Sequence, residues 1–290
     1  MGLLIIVLSG ISGALFTLGY KIKEQRGHRL ELFMFLFSAS FLLFAFLFSL
    51  IYGHGLFNTY AMIIGIPNGF SMYISVIMYS RAIRRARLSI SWTVVQFCIL
   101  IPFLASIVFF ETRVSTLSII GTALMLVSIV IFGKGKREKT SSDDTSLELR
   151  TGIELFAASL FSGIALTMPL VYVSLADNAS PFTLLFFSSA VMAAASLIRL
   201  GKAVLTHLPS RSEIVVPIFM SFMQVISLSL LITGLKTIPG SAAYPLKSII
   251  GLLCIYACSY LCFKERMIPI EIVGIVCSVT AIVFITMTLH

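Results

Sequence analysis

Ten apolar stretches, five on each side of one polar segment, restrict the folds available to this 290-residue chain. A membrane-spanning helix needs about 20 apolar residues, and each stretch is close to that length. The predicted helices cover residues 3–20, 32–52, 59–80, 88–110, 115–133, 152–175, 181–199, 213–234, 241–263 and 268–288. Because five crossings begin and end on opposite sides of a membrane, a second five-helix unit must be inverted relative to the first. The pattern predicts an all-α polytopic membrane protein with ten transmembrane helices in two inverted five-helix repeats.

The composition is that of a chain that folds in lipid. Hydrophobic residues make up 58% of the sequence and charged residues 11%, whereas a soluble domain carries roughly 25% charged residues. The formal net charge is +9, but the basic residues lie at the ends of the apolar stretches, where they set the orientation of helices in a membrane. We therefore expect membrane lipid, and no nucleic acid, among the partners.

The two halves of the sequence repeat several short motifs. The first repeat covers 1–133, a polar linker predicted to be cytoplasmic covers 134–150, and the second repeat covers 151–290. The matching pairs are SGALFT (Ser12–Thr17) with SGIALT (Ser162–Thr167), Ser80–Trp92 with Thr233–Pro245, Phe109–Arg113 with Phe263–Met267, and Gly121 with Gly274. Four matches in the same order, at similar offsets, indicate an internal duplication.

The distribution of Lys and Arg predicts the orientation of the chain. Of the 21 basic residues, 18 lie in the connections after the odd-numbered helices, and Arg113 and Lys236 lie in those after the even-numbered helices. The remaining one is Lys247. Because the basic side of a membrane protein with short loops is cytoplasmic, both termini are predicted to face outward. The expected location is the inner (cytoplasmic) membrane of a prokaryote.

The helix ends FFET and FKER, the turn LKTIPGSAAYPL and the closing helix IEIVGIVCSV resemble the drug/metabolite transporter superfamily, EamA-type branch. Ten helices in two inverted halves extend the resemblance over the whole chain. It implies a secondary-type transporter that works by alternating access. Most ten-helix members of that family keep both termini in the cytoplasm, so the basic residues of this chain depart from the family's orientation.

Lys247 is the strongest candidate for a functional residue. A charged side chain deep in a membrane costs at least ~2.5 kcal/mol, so it is expected to face a water-filled cavity or a partner. One interpretation is a counter-charge for a carboxylate or phosphate of a substrate. The alternative is a long side chain that reaches back to the membrane interface. Pro245, two residues earlier, removes a backbone hydrogen bond and loosens the helix beside Lys247.

The repeat brings a second set of candidates opposite Lys247. Under the motif alignment, Trp92 and Gln96 of the fourth helix correspond to the segment of the ninth helix that contains Tyr244 and Lys247. An aromatic ring and a hydrogen-bonding group from each half predict a pseudo-symmetric substrate site. Trp92 has an equally good explanation as an anchor at the membrane interface.

Three further polar residues are predicted to line the substrate pathway: Asn68, Tyr73 and Gln224. Asn68 lies between Gly65 and Gly69, a GxxxG pair that permits close helix packing. Gln224 is the isolated polar group at a comparable depth in the eighth helix.

The carboxylates, thiols and imidazoles of the sequence form no pattern that is typical of a catalytic or metal-binding site. Glu154 is the acidic residue placed deepest in a predicted helix, and we regard it as a possible proton relay. The five cysteines lie in apolar segments and are expected to pack as small hydrophobic residues. The four histidines lie outside helix interiors. We therefore predict no catalytic residues, no metal and no cofactor, and a protein that is not an enzyme.

These patterns predict a transporter of a small organic metabolite, and the counter-charge interpretation of Lys247 favours one with an anionic group. Two alternatives on the same fold remain open: a flippase for a lipid or lipid carrier, and an exporter of cationic drugs. A Phe-rich second helix, LFMFLFSASFLLFAFLF (Leu32–Phe48), would favour the flippase if it lined a lateral opening. The expected oligomeric state is a monomer or a homodimer.

Overall fold

Ten α-helices contain most of the residues that the structure describes, and no strand occurs among those residues. The structure is a computed structural model, and it describes residues 2–53, 55, 57–83, 95–109, 115–135, 145–176, 180–200, 209–263 and 269–287. The helices are α1 (Gly2–Gln25), α2 (Leu30–Ile51), α3 (Thr59–Ile83), α4 (Leu100–Val108), α5 (Thr116–Gly135), α6 (Thr145–Leu175), α7 (Pro181–Leu200), α8 (Arg211–Leu235), α9 (Gly240–Phe263) and α10 (Pro269–Met287). A 3-10 turn, Phe97–Ile99, directly precedes α4. The all-α class predicted from the sequence is confirmed.

Seven of these helices are long and apolar enough to cross a membrane, namely α1, α2, α3, α6, α7, α8 and α9. Shorter apolar helical segments occur at Phe97–Val108, Thr116–Ile131 and Ile272–Met287. Many large apolar side chains remain exposed on the helices, including Leu50 and Ile198. Exposed apolar surface of this extent is unfavourable in water and is accommodated by lipid. These features indicate an integral membrane protein.

Two helices extend about five or more residues beyond their predicted bounds, into charged sequence. α1 continues to Gln25, although its apolar run ends near residue 20. α6 begins at Thr145, inside the segment 134–150 that the sequence assigns to a linker. Residues 136–144 of that segment lie outside the described residues. Lys, Glu and Gln have good helix propensity, so α1 can continue past its apolar run at small energetic cost.

One compact unit consists of Met1–Tyr73 and Met168–Thr237. In this unit α1 packs against α8, and α2 packs against α7 and α8. Serine hydroxyl groups join the first pair: Ser9 donates to the carbonyl oxygen of Ser227 at 2.7 Å, and Ser227 donates to that of Ser9 at 2.9 Å. Aromatic side chains from α2 fill the interior of the unit, and Phe37 is completely buried.

A second compact unit consists of Ile74–Thr167 and Ile238–His290. Here α5 packs against α10, and α4 packs against α9. Ser128 of α5 donates to the carbonyl oxygen of Gly274 at 2.9 Å, and its Oγ lies 2.6 Å from the Oγ of Ser278. Each compact unit therefore contains helices from both halves of the sequence.

Candidate functional site

The first two turns of α9 carry the charged residue of the candidate site. Lys247 is half-buried and is the one charged residue in the sequence of α9. Pro245 lies inside the helix, and because proline has no N–H it leaves the carbonyl oxygen of Ser241 without its α-helical donor. The hydroxyl group of Tyr244 donates to the carbonyl oxygen of Leu166 at 2.6 Å, so this bond joins the start of α9 to α6.

A second hydroxyl group lies beside Lys247 and is not used by the fold. Ser248 is buried, and its Oγ has no hydrogen-bond partner. Serines in helices commonly donate to a carbonyl oxygen one turn earlier. Buried polar groups are nearly always bonded, so an exception calls for an explanation such as a ligand or a water molecule.

α4 approaches this part of α9 with an irregular turn. The 3-10 turn at Phe97–Ile99 packs against α9. Pro102 accounts for the irregularity, because it cannot donate the hydrogen bond that the carbonyl oxygen of Cys98 would receive in an α-helix. Cys98 is buried and lies close enough to Lys247 to interact with it electrostatically. Gln96 is half-buried and lies directly before the turn.

Gly163 of α6 allows α4 to come this close. A Cβ atom at Gly163 would lie 2.7 Å from the carbonyl oxygen of Cys98 and would overlap the side chain of Ile101. Glycine is required here for the close approach of two backbones, not for an unusual backbone dihedral. The hydroxyl of Thr167, one turn later, donates to the carbonyl oxygen of Gly163 at 2.9 Å and is thus occupied within its own helix.

The segments around Lys247 carry hydrogen-bond donors. A lysine ammonium group, a half-buried amide and a hydroxyl group without a partner are all donors of the kind that carboxylate and phosphate oxygens accept from. Pro102 and Pro245 leave two carbonyl oxygens without α-helical donors, that of Cys98 in the 3-10 turn and that of Ser241 in α9. Glu154 is buried on α6 in the same compact unit. We define Lys247, Ser248 and Gln96 as the Lys247 site.

The other predicted substrate-binding residues belong to the first compact unit or lie outside the described residues. Asn68 is buried in the first compact unit, where its Nδ2 donates to the Oγ of Ser188 at 3.0 Å and its Oδ1 has no hydrogen-bond partner. The hydroxyl group of Tyr73 donates to the carbonyl oxygen of Ala195 at 3.1 Å. Both residues therefore join α3 to α7. Gln224 is half-buried on α8, and Trp92 lies outside the described residues.

Sequence reasoning missed Ser248, Cys98 and Gly163. A signal existed for the last two, since a proline four residues after Cys98 and the SG motif of Ser162 and Gly163 were both visible. The motif alignment places Ser248 with Lys247 opposite Gln96, but nothing in the sequence shows that its hydroxyl group has no partner. Among the residues that the structure describes, no group of three or more His, Cys, Asp or Glu side chains is placed to hold a metal ion.

Comparison with known proteins supports the fold. No protein-family model and no curated protein matches this chain. Solved structures do match, and 29 of their chains are similar to this one. One of them, described as "Crystal structure of protein", superposes with a TM-score of 0.73 over 99% of this chain and 96% of that chain, at 13% sequence identity. The likeness covers nearly the full length of both proteins and concerns the fold alone.

Proposed function

We propose that this chain is a secondary-type transporter of the drug/metabolite transporter superfamily, EamA-type, that moves a small organic metabolite with an anionic group across a prokaryotic inner membrane. The observation that carries the proposal is Lys247, a half-buried lysine in a membrane-spanning helix beside a buried hydroxyl group without a partner. An ionisable residue inside a membrane protein indicates a functional site, and a cation there favours an anionic ligand.

The pairing of helices supports two inverted repeats. Within the compact units, α2 packs against α7, α4 against α9 and α5 against α10, so each of these pairs joins a helix to the one five positions later. If each helix is exchanged with the helix at the same position in the other half, every one of these pairs is converted into itself. The same exchange converts the α1–α8 pair into the α3–α6 pair, and both pairs are joined by serines. Ser75 of α3 donates to the carbonyl oxygen of Ala158, and its Oγ lies 2.5 Å from that of Ser162.

Ser128 and Ser278 add an independent sign of the repeat. They are 150 residues apart, the offset that relates SGALFT to SGIALT, and their hydroxyl groups lie 2.6 Å from each other. Residues related by a two-fold axis meet in this way only where the axis passes between them. Inverted repeats of this kind are the architecture of transporters that work by alternating access.

The flippase alternative has less support from the structure than from the sequence. Its main argument was the Phe-rich α2, but Phe33, Phe37 and Phe41 are buried within the first compact unit. Phe48 stacks on Phe182 with ring centroids 5.5 Å apart, and Phe44 contacts Phe222. Packing accounts for these rings. The exporter of cationic drugs conflicts with the sign of the charge on Lys247.

The test is a ligand-stabilisation screen of the purified protein with amino acids, sugar phosphates, nucleosides and cationic drugs, followed by counterflow in vesicles. Compounds with a carboxylate or phosphate should raise the unfolding temperature, because they bind the folded state. Stabilisation by cations alone would refute the proposal in favour of the drug exporter. Ordered acyl chains at the Lys247 site would favour the flippase.

Lys247→Ala should weaken the apparent affinity for the anionic substrate by roughly 30-fold or more, since removing one partner of a buried charge pair costs about 2–5 kcal/mol. Lys247→Arg should retain part of the affinity. Lys236→Ala is the matched control, because Lys236 is exposed in the turn after α8. Full counterflow activity of Lys247→Ala would show that Lys247 does not bind the substrate.

A further inference from the structure

The end of α1 folds into a turn that directs His28 back against the helix. Gly27 has φ 61°, in the left-handed region that favours glycine. Its N–H donates to the carbonyl oxygen of Glu24 at 3.2 Å, and the N–H of His28 donates to that of Lys23 at 3.2 Å. This pair of hydrogen bonds defines a Schellman motif, in which the residue after the glycine packs on the last turn of the helix.

His28 is buried in this turn and bonded to α8. Only 5% of its surface is exposed, and its Nε2 lies 3.1 Å from the Oγ of Ser212. Ser212 is in the first turn of α8, which begins after the N-cap Ser210. The other ring nitrogen of His28, Nδ1, is buried without a hydrogen-bond partner. In a neutral imidazole, the nitrogen without a partner can be the one that carries no proton. A protonated ring would have an N–H group on both nitrogens, and the one at Nδ1 would be buried without an acceptor.

The charged groups around His28 are mostly cations. Lys23 of α1 is 2% exposed, with its Nζ 4.9 Å from the centre of the Phe33 ring of α2. Arg26 belongs to the same connection as His28 and acts on it electrostatically. Both cations disfavour a positive charge on the imidazole ring.

Among the residues that the structure describes, Glu213 is the carboxylate that acts on His28 electrostatically, and it already has partners in the fold. Glu213 of α8 accepts from the Nε of Arg29 at 3.3 Å and from the N–H of Ser210 at 2.9 Å. Of the other charged groups near these helix ends, Arg211 is exposed, Glu31 lies 3.9 Å from Arg199, and Lys21 and Glu24 of α1 are half-buried. Glu213 therefore offsets only part of the cost of charging His28.

These surroundings shift the proton equilibrium of His28. Burial lowers the pKa of His28 below its ordinary value, Glu213 opposes this shift, and Arg26 and Lys23 lower the pKa further. His28 is therefore neutral in the bonded conformation at neutral pH. A conformation in which the connection leaves α8 would expose His28 to water and restore a pKa of about 6.5.

We propose that His28 is a proton-binding site that holds the α1–α2 connection on the first turn of α8 while it is neutral and releases that connection when it takes up a proton. The two conformations differ in proton affinity, so their ratio depends on pH. Above about pH 6.5 neither conformation binds the proton, and the bonded one is fully favoured. As the pH falls below that value, the released conformation gains up to about tenfold per pH unit until the bonded conformation is also protonated. The proposal is independent of the proposed transport function.

The test measures amide hydrogen exchange of the α1–α2 connection in the full-length protein, at about pH 8 and about pH 5.5, with rates corrected for the intrinsic effect of pH. This range lies above the ordinary pKa of Glu, about 4.3, so Glu213 keeps its charge. In the wild type, protection of residues 26–29 should fall at the lower pH, by up to roughly tenfold. His28→Gln cannot titrate and should lose this pH response. Ser212→Ala lacks the bond to the ring and should exchange fast at both pH values.

His54→Gln is the matched control, because it removes a histidine from a different connection, and it should keep the wild-type response. The same pH response in His28→Gln as in the wild type would overturn the proposal. A second measurement covers the case in which His28→Gln does not fold. The imidazole signals of labelled wild-type protein, assigned by substitution of the other three histidines, should show His28 titrating below about 6.5. Titration at or above that value would also overturn the proposal.

Discussion

At the scale of single residues, the two hydroxyl groups beside Lys247 differ in whether the fold already uses them. The hydroxyl of Tyr244 is bonded to the carbonyl oxygen of Leu166 at 2.6 Å, whereas the Oγ of Ser248 is buried without a partner. A bonded hydroxyl contributes to the packing of two helices. A buried hydroxyl group without a hydrogen-bond partner lowers the stability of the fold and remains available for a ligand.

Removing the two hydroxyl groups should therefore give opposite results. Tyr244→Phe should destabilise the protein by about 0.6 kcal/mol, and at most by about 1.7 kcal/mol, as for other hydrogen bonds between membrane helices. Ser248→Ala should leave stability unchanged or slightly higher, and should weaken anion binding by about 1 kcal/mol, roughly fivefold. Thermal unfolding with and without the anionic substrate measures both effects. Loss of binding in a Tyr244→Phe protein of normal stability would assign Tyr244 to the substrate instead.

The sequence predicts some of these residues and not others for a physical reason. Lys247 is recognisable because a charge in an apolar helix is costly wherever the helix packs. Asn68 and Tyr73 are equally visible as polar residues, but the sequence does not reveal that Ser188 and the backbone of α7 are their partners. The role of Ser248 cannot be predicted from the sequence. Its rotamer decides whether the hydroxyl group bonds to its own helix or has no hydrogen-bond partner.

At the scale of helices, the GxxxG pair of α3 fixes one close contact. A Cβ atom at Gly69 would overlap the backbone carbonyl oxygen of Ser188 and would lie 2.9 Å from the Cβ of Val191. At Gly65 a Cβ atom would lie 2.7 Å from that of Phe187. Since a backbone atom cannot move aside as a long side chain can, α3 and α7 would have to separate to accept a larger residue.

Gly69→Ala should thus destabilise the folded protein by roughly 1–3 kcal/mol, the usual cost of overpacking. Gly152 of α6 supplies the control, because a Cβ atom there meets nothing within 4 Å. Gly152→Ala should be neutral or stabilising by up to about 1 kcal/mol, since alanine favours a helix more than glycine does. Unfolding temperatures of the two variants in the same detergent make the comparison. Equal stability of both variants would mean that α3 and α7 are not in close contact at Gly69.

The sequence predicts the positions of the helices better than their ends. Apolar runs locate the membrane-spanning part, because the requirement for apolar residues is set by the lipid. The ends depend on local capping: α1 stops at the left-handed Gly27, and α8 starts with a capping box between Ser210 and Glu213. Its elements, Ser210 and Glu213 three residues apart, are visible in the sequence, yet the apolar run suggests a start two residues later. The buried His28 next to Gly27 follows from that capping and from α8, and the sequence alone places it in a loop.

At the scale of the whole molecule, the sequence predicts the number of helices and the repeat, while the pairs of helices come from the structure. Hydropathy contains no information on which helices meet, since lipid and a neighbouring helix are similarly apolar. Short connections suggest that neighbours in sequence pack together. The pairs α1–α8 and α2–α7 instead join helices from different halves, with serine hydroxyl groups at the contacts of Ser9 with Ser227 and of Ser38 with Ser196.

The orientation of the molecule is the prediction that distinguishes this chain from most members of the family proposed for it. Because 18 of the 21 Lys and Arg residues lie in connections on one side, that side should be cytoplasmic and both termini should face outward. Alkaline phosphatase fused after Met287 should then be active, and green fluorescent protein fused there should be dark. The same reporters fused after Lys139, in the basic polar segment, should behave in the opposite way and serve as the control. A fluorescent fusion after Met287 would put the termini in the cytoplasm, which would mean that the basic connections are not cytoplasmic in this protein.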